Sequence, residues 1–476
     1  MNGASPIVLQ KCRLPFIIRG RNRRDGCRGR HESCTRTGRY RYYGDTSFGR
    51  TAVNARIGQP ELLKEINRAH VFEILRHERT VSRPGLADLT GLSRATVSIV
   101  TDSLLREGIV REAGFGISSG GRPPVLLEFR PEAVFALGAS MHDYRWSVIL
   151  TDLDAAPQDR EDIEILGSSA EAAVEALSYA AARLLTRNGG RRIFRALGVG
   201  SPGLVDMRNG IIQSATDLDW FDVPLKALLQ SRTGLEVYVA NRSKVGALGE
   251  RWRGTAKGAQ DLIYVSIGTG VAAGIIHRGE LYIGTNSSAG ELGHTTVIPD
   301  GPLCGCGNRG CLQQLVSDPA IAGRARERLR ETQHGILFER YAERPEALNA
   351  PEVFRAAEEG DTLATSILEE AAEYLGIAIG NLVNLFNPEM IVIGGQSGAG
   401  SQLFVEMLRG KVRRRAMAYP LAATTIITAE LGSDAAAIGA AVLVLQHAPE
   451  LLFGGNTTSE PQSELLDPVP EAGSGY

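Results

Sequence analysis

Apolar residues begin to recur at helical spacing at Pro60, where Leu62, Leu63, Ile66, Phe72, Ile74 and Leu75 mark a first predicted amphipathic helix. Ser82-Arg83-Pro84 then supplies a cap and a first-turn proline for a short helix carrying Leu86 and Leu89. Thr90-Gly91-Leu92 makes a turn, and Ser93 caps a helix over 94–105 whose Val97, Val100, Leu104 and Leu105 face inward. One strand starts at Gly108-Ile109-Val110 and another is Val125-Leu126-Leu127-Glu128-Phe129, with Gly120-Gly121-Arg122-Pro123-Pro124 between them as part of a wing. From Pro131 the pattern alternates: strands at 133–140 and 146–150, an Ala-rich helix at 169–187, and strands at 196–200 and 237–240. A hairpin of 261–266 and 271–276 surrounds Ile267-Gly268-Thr269-Gly270. A helix over 362–386 directs Leu363, Ile367, Ala371, Leu375, Ile379, Leu382 and Leu385 toward a core, before a strand at 390–395 and an apolar helix at 435–446. This predicts α/β construction with polar groups delivered at strand ends, behind a winged helix-turn-helix unit.

Composition changes that picture mainly at the ends. At 476 residues, 43 % hydrophobic and 22 % charged, the chain has ordinary globular content and more length than one core usually covers. The net charge of -2 conceals a basic head, since residues 1–56 hold 13 Lys or Arg against 3 Asp or Glu. That head lacks periodicity and is expected to be a disordered tail, as is the Pro-, Ser- and Glu-rich segment 454–476. Either the head adds nonspecific DNA affinity by neutralising phosphates or it is a tail without a specific role. No run approaches the roughly 18 apolar residues of a membrane helix, and Phe16-Ile17-Ile18 is too short for a secretory core, so a cytoplasmic protein without a membrane partner is expected.

Candidate chemistry lies in two places. Cys12, Cys27 and Cys34 in the head lack a ligand spacing, but Cys304, Cys306 and Cys311 follow closely on His294. One imidazole and three thiolates close a tetrahedral, structural Zn²⁺ site with no open position, and clustered cysteines in a chain this long point to metal rather than disulfides. Glu291, three residues before His294, lies outside that set and is free to serve a ligand pocket. The second place is the helix pair. Ser93, Arg94, Thr96 and Ser98 sit where a second helix enters the major groove of double-stranded operator DNA. Gly121, Arg122 and Pro123 form an extended segment suited to a narrow minor groove. The plainer alternatives are a solvated helix in a protein-interaction module and an ordinary turn.

Ala289-Gly290-Glu291-Leu292-Gly293-His294 with the Cys-x-Cys-x4-Cys run, together with the helix-turn-helix, resembles the ROK family of repressors and sugar kinases, in its repressor branch. Ile267-Gly268-Thr269-Gly270, Gly203-Leu204-Val205-Asp206, Asp217-Leu218-Asp219-Trp220 and Ile393-Gly394-Gly395 fall in the family's order, so the likeness spans about residues 61–447. It implies a two-lobed, actin-like ATPase and sugar-kinase fold over 131–447, binding an effector and assembling as a homodimer or homotetramer, behind a DNA-binding domain at 60–130. It also implies that His294, Cys304, Cys306 and Cys311 are zinc ligands, and that Glu291, His294, Asn241 and Gly203 lie at the sugar. His294 would then hold zinc through one ring nitrogen and a sugar hydroxyl through the other.

Four departures bear on activity. Where a family kinase places the base Asp after Asn241, this chain has Arg242, a permanent cation. The family's Asp-x-Gly-Gly-Thr phosphate loop is replaced by Ala139-Ser140-Met141-His142-Asp143. Gln313 stands for a Glu and Asp217 for an Asn among the effector contacts. The first two set the resemblance toward a sugar-responsive transcriptional repressor without enzymatic activity, the last two toward a changed sugar preference or weakened sensing, and Arg242 suits the phosphate or carboxylate of a charged sugar. An ATP-dependent sugar kinase and a ligand-free regulator acting through protein partners are the rival readings.

Overall fold

Capping side chains organise the N-terminal unit of the computed structural model, which describes residues 60–117, 123–142, 144–395 and 401–453, all within Gly58–Tyr476. Both expected tails, and Gly121 and Arg122, lie outside the described residues. Helix α1 (Pro60–Glu78) leads through β1 (Thr80–Ser82) to α2 (Arg83–Thr90) and α3 (Arg94–Arg106). The Ser82 and Ser93 hydroxyls accept the N–H groups of Gly85 and Thr96, satisfying first-turn donors, and Gly91 turns the chain between α2 and α3 at φ 70°. β2 (Val110–Phe115) pairs antiparallel with β3 (Val125–Phe129), whose other edge takes β1. Phe72, Leu75, Leu86, Val97, Leu104, Leu127 and Phe129 are buried, with the Phe72 and Phe129 rings edge to face at 5.6 Å. Leu63 and Ile66, expected to face a core, are exposed.

The body contains two five-stranded sheets of one plan. The first lobe comprises β4 (Phe135–His142), β5 (Arg145–Thr151), β6 (Pro157–Glu164), α4 (Ala170–Arg187), β7 (Ile193–Ser201), a small sheet of β8 (Leu204–Asp206), β9 (Ile211–Ala215) and β10 (Trp220–Val223), then α5 (Leu225–Thr233) and β11 (Glu236–Asn241). Its main sheet runs β11-β7-β4-β5-β6, the first three parallel and the last two antiparallel additions. After α6 (Arg242–Trp252), the second lobe takes β12 (Leu262–Ile267), β13 (Val271–His277) and β14 (Glu280–Leu281). An irregular stretch leads to α7 (Gln313–Val316), α8 (Asp318–Leu329), α9 (Ile336–Tyr341), α10 (Ala350–Glu358), α11 (Thr362–Phe386), β15 (Met390–Gly395), α12 (Gln402–Val412), α13 (Ala418–Ala422) and β16 (Thr425–Thr428). The order β14-β13-β12-β15-β16 repeats the plan: β12, β15 and β16 are parallel, with β13 and β14 antiparallel.

The last two helices, α14 (Ala435–Gln446) and α15 (Ala448–Phe453), tie these parts together. α14 packs on the first sheet, α6 on the second, and the two helices pack on each other. Their approach requires Gly439, because a β-carbon there would fall inside the Val245 carbonyl. α14 is accordingly buried from Ala435 to Leu445, which is why its sequence is apolar all round. One continuous core runs from Val71 and Phe72 through Val134 and Phe194 to Leu451 and Leu452, so the N-terminal unit rests on the body.

Three elements differ from expectation. β6 is an edge strand with the sequence Pro-Gln-Asp-Arg-Glu-Asp-Ile-Glu, and its charges hid it from a hydrophobic pattern. β4 and β5 pair as far as His142 and Arg145, so the expected five-residue loop is a tight hairpin. Leu385 is 78 % exposed at the end of α11, beyond the stripe that packs inward.

Candidate functional site

The irregular stretch after β14 is pinned to the second sheet by its backbone. Ala273 N–H donates to the Gly290 carbonyl at 2.7 Å, and Gly290 adopts φ 94° where a β-carbon would meet the Ala273 carbonyl. A short 3-10 turn, Leu292–His294, then presents Glu291 and His294. Further along, Val297 N–H donates to the Gly310 carbonyl at 2.8 Å and Leu312 N–H to the Thr295 carbonyl at 3.0 Å, closing the chain into a knuckle.

His294, Cys304, Cys306 and Cys311 meet inside that knuckle, with their ligand atoms all within 4.8 Å of one another. His294 Nδ1 lies 3.6 Å from Cys304 Sγ, and Cys306 Sγ lies 3.7 Å from Cys311 Sγ. Zn–S bonds of about 2.3 Å in a tetrahedron place sulfurs roughly 3.8 Å apart, so the set suits that ion. Its electrostatics point the same way. Burial raises the Cys304 thiol, but hydrogen bonds involving the Cys306 backbone and thiol, His294 and Gln314 bring it down to about 7. Burial and the neighbouring Cys306 and Cys304 push the Cys311 thiol up to about 12. Three thiols this close resist ionising together, and a cation removes that conflict. The group can hold a metal ion.

The residues expected at the sugar lie on both lobes. Asn241, 8 % exposed, caps α6: its Oδ1 accepts the Ser243 N–H at 2.8 Å and its Nδ2 donates to the Gly203 carbonyl at 2.8 Å. Asn241 and Gly203 are therefore together. Arg242 Nη2 donates to Thr269 Oγ1 at 3.0 Å, across to the glycine loop between β12 and β13. It lines a recess with His142, Tyr264, Ser266, Gly268 and Ser433. Gln313, at the start of α7, accepts the Val271 N–H at 3.4 Å on the same loop. Asp217 is exposed on a 3-10 turn, and among the described residues no side-chain hydrogen bond or ion pair joins it to the other expected site residues. Ser140 and His142 bond to each other at 3.2 Å in the β4–β5 hairpin, where the glycine-bearing phosphate loop would lie.

Sequence reasoning passed over Lys244. It is 2 % exposed in the first turn of α6, and the nearby carboxylate that acts on it belongs to Glu291. Burial pushes the Lys244 amine down, against the pull of Glu291. Burial raises the Glu291 carboxyl, against Lys244 and His294. The available signal was position alone: a lysine two residues after Arg242 at a helix start.

In the N-terminal unit, Ser93 and Thr96 share a 2.9 Å hydroxyl hydrogen bond, so both shape the start of α3. Arg94 is exposed, and Ser98 is half-buried on the same helix. Arg83 holds α2 to α3 by bonding Asp102 at 2.7 Å and Thr101 at 3.1 Å. Pro123 is exposed at the edge of the wing, next to the two positions outside the described residues.

The ROK family profile matches residues 144–447. The chain belongs to the ROK family. Its ROK relatives include the xylose repressor of Caldicellulosiruptor bescii, 32 % identical over 403 residues, covering 82 % of this chain and 98 % of that one. The glucokinase of Halalkalibacterium halodurans is 38 % identical over 262 residues, covering 55 % of this chain and 79 % of the kinase. Among solved structures, a ROK family transcriptional regulator, a homologue of the E. coli MLC protein, superposes with a TM-score of 0.72 at 25 % identity, covering 83 % of this chain and 98 % of that one. The paired sheets are thus the ROK fold, shared by regulators and kinases. No helix among the described residues is long and apolar enough to cross a membrane.

Proposed function

We infer that this ROK protein is a sugar-responsive transcriptional repressor: residues 60–130 read operator DNA, the lobes at 131–447 bind a carbohydrate-type effector, and His294, Cys304, Cys306 and Cys311 hold a structural Zn²⁺. The observation that carries this reading is the path of α6. Its N-cap, Asn241, bonds the Gly203 carbonyl, two residues that this reading assigns to the sugar, while Trp252 at its other end lies under the Arg76 guanidinium of α1, 4.0 Å from the ring centroid. A change at the sugar therefore reaches the helix that leads into the DNA-reading pair. In a cytoplasmic homodimer, two such pairs would read half-sites about 10 bp or a multiple apart, so a shift between them weakens operator fit. Linkage requires that an effector which releases DNA bind less well to the DNA-bound form.

A gel shift on the promoter beside this gene, with a panel of sugars, tests the reading. The expected result is a specific complex that one sugar dissociates. In Trp252→Ala the same sugar should bind with a Kd within about threefold while dissociating the complex at least fivefold less well. If no promoter fragment is bound, or no sugar alters binding, the proposal fails.

The glucokinase relative favours a second reading, ATP-dependent sugar phosphorylation. Arg242 opposes it, since a guanidinium cannot take the sugar proton, and the β4–β5 hairpin lacks the glycines that let phosphate approach backbone. Enzymatic activity is not part of the proposal. Sugar-dependent ATP consumption lost on mutating Glu291 would reverse the choice.

A further inference from the structure

The outward face of α3 is more apolar at its centre than a solvated helix needs to be. Val97, Val100, Thr101 and Leu104 turn the helix inward, and all four are buried. The opposite stripe runs at helical spacing through Ala95, Ile99, Asp102 and Arg106, each of them exposed. Ile99 stands at the middle of that stripe with 70 % of its surface exposed. Thr96 is half-buried and bonds the Ser93 hydroxyl at 2.9 Å, and Ser98 is half-buried at the margin of the face. Asp102 is engaged by Arg83 at 2.7 Å, so its negative charge is offset within the protein. Ahead of that ion pair the stripe carries only Ala95 and Ile99, neither of which can form a side-chain hydrogen bond.

A lone exposed isoleucine is ordinary on a protein surface. Here it lies one turn after an exposed alanine on the helix that follows a capped turn, at a position where Lys, Glu or Gln would serve a solvated helix better. The major groove offers one apolar group to match such a pair, the C5-methyl of thymine. We propose that Ala95 and Ile99 read thymine methyl groups, so that each operator half-site carries two thymines whose methyls face these side chains. The inference rests on the operator-binding reading above and names the chemistry of the site that is read. Four residues of helix rise about 6 Å, roughly two base-pair steps, which sets the spacing of the two thymines. The short side chain of Ala95 lets the helix come close to the bases, and Arg94 beside it is left for a guanine edge or a phosphate.

The promoter fragment bound by the full-length protein in the gel shift supplies the test. Each thymine in it is replaced in turn by deoxyuridine, which keeps the pairing edge and the O4 acceptor and removes only the methyl. Two positions in each half-site should weaken binding about three- to fivefold, the scale of one buried methyl, and the others by less than about 1.5-fold. Ile99→Ala should bind the unmodified fragment at least about fivefold less well and abolish the deoxyuridine effect at one of the two positions, as a direct contact requires. Ala95→Gly should abolish it at the other. Ile99 lies outside the core, so its replacement leaves the fold in place, and the scan on the unaltered protein needs no variant at all. Specific binding that tolerates deoxyuridine at every position overturns methyl reading and leaves the repressor proposal standing. An undiminished deoxyuridine effect at both positions in Ile99→Ala overturns the part given to Ile99. A promoter that is not bound at all removes the proposal on which this one rests.

Discussion

The two lobes repeat one backbone plan, a hairpin and a third antiparallel strand extended on the other side by two parallel strands, yet their equivalent hairpins differ in chemistry. In the second lobe, β12 and β13 pair to Ile267 and Val271 and keep a glycine-bearing turn that takes the Arg242 side chain on Thr269. In the first, β4 and β5 pair through to His142 and Arg145 without that glycine loop. Fold and chemistry separate readily: a sheet tolerates any side chains that keep its faces apolar, whereas a phosphate seat needs bare backbone at a few positions. The lobes also differ in support. The core that includes the N-terminal unit draws on both lobes, with Val134 and Phe194 from the first and Leu262, Tyr264 and Val392 from the second, and the cysteine knuckle belongs to the second alone among the described residues.

Stripping the metal should therefore give the largest effect, concentrated in the second lobe. Cys306→Ser, or chelation, is expected to lose zinc, lower stability by several kcal/mol and weaken the effector response, because the proposed function gives His294 a place at both the metal and the effector. Metal analysis beside thermal unfolding and effector titration checks this, and a zinc-free protein with full response would uncouple the two. Gly439→Ala attacks what both lobes share and should cost about 1–3 kcal/mol in urea unfolding, since the α6–α14 contact must open.

The outer edge of the first lobe should matter much less. Arg187 holds Asp159 by hydrogen bonds of 2.7 and 2.8 Å, which keeps that carboxyl below the usual aspartate range. Its folded pKa lies under its unfolded one, so this contribution is full at neutral pH, starts to fall within the aspartate range and is lost only as pH drops through the lowered folded value. Asp159→Asn should lower Tm by no more than about 2 °C at pH 7, with the difference shrinking as pH falls below the ordinary aspartate range. The smallest effect is expected from Arg242→Asp, which restores a carboxylate but not the missing phosphate loop. A coupled assay should show no sugar-dependent ATP consumption, and turnover would mean that the first hairpin still seats a nucleotide.

The parts of this molecule that sequence revealed are those whose chemistry is local. The knuckle is a spacing of four ligands within 18 residues, from His294 to Cys311, and α11 and α14 carry their own periodicity over 25 and 12 residues. Lys244 was hidden because its burial depends on the packing of α6 against β13, contributed by chain farther along. β6 was hidden for the opposite reason, since an exposed edge strand rich in charge has no apolar alternation to show. Leu385 continued a helical stripe past the point where the core ends.

One contact sets an order of events in the making of the protein. Helix α15 lies against α1, with Arg68 over the Phe453 ring at 4.9 Å and Leu451 and Leu452 buried in the core that also takes in Val71 and Phe72. The N-terminal helical unit is translated early, yet part of its support is the final helix of the described fold. A growing chain on the ribosome thus carries helix α3 long before it carries the surface that steadies α1. Under the proposed function, operator binding would then be a property of finished chains, and a truncated translation product would not compete for the same DNA on equal terms.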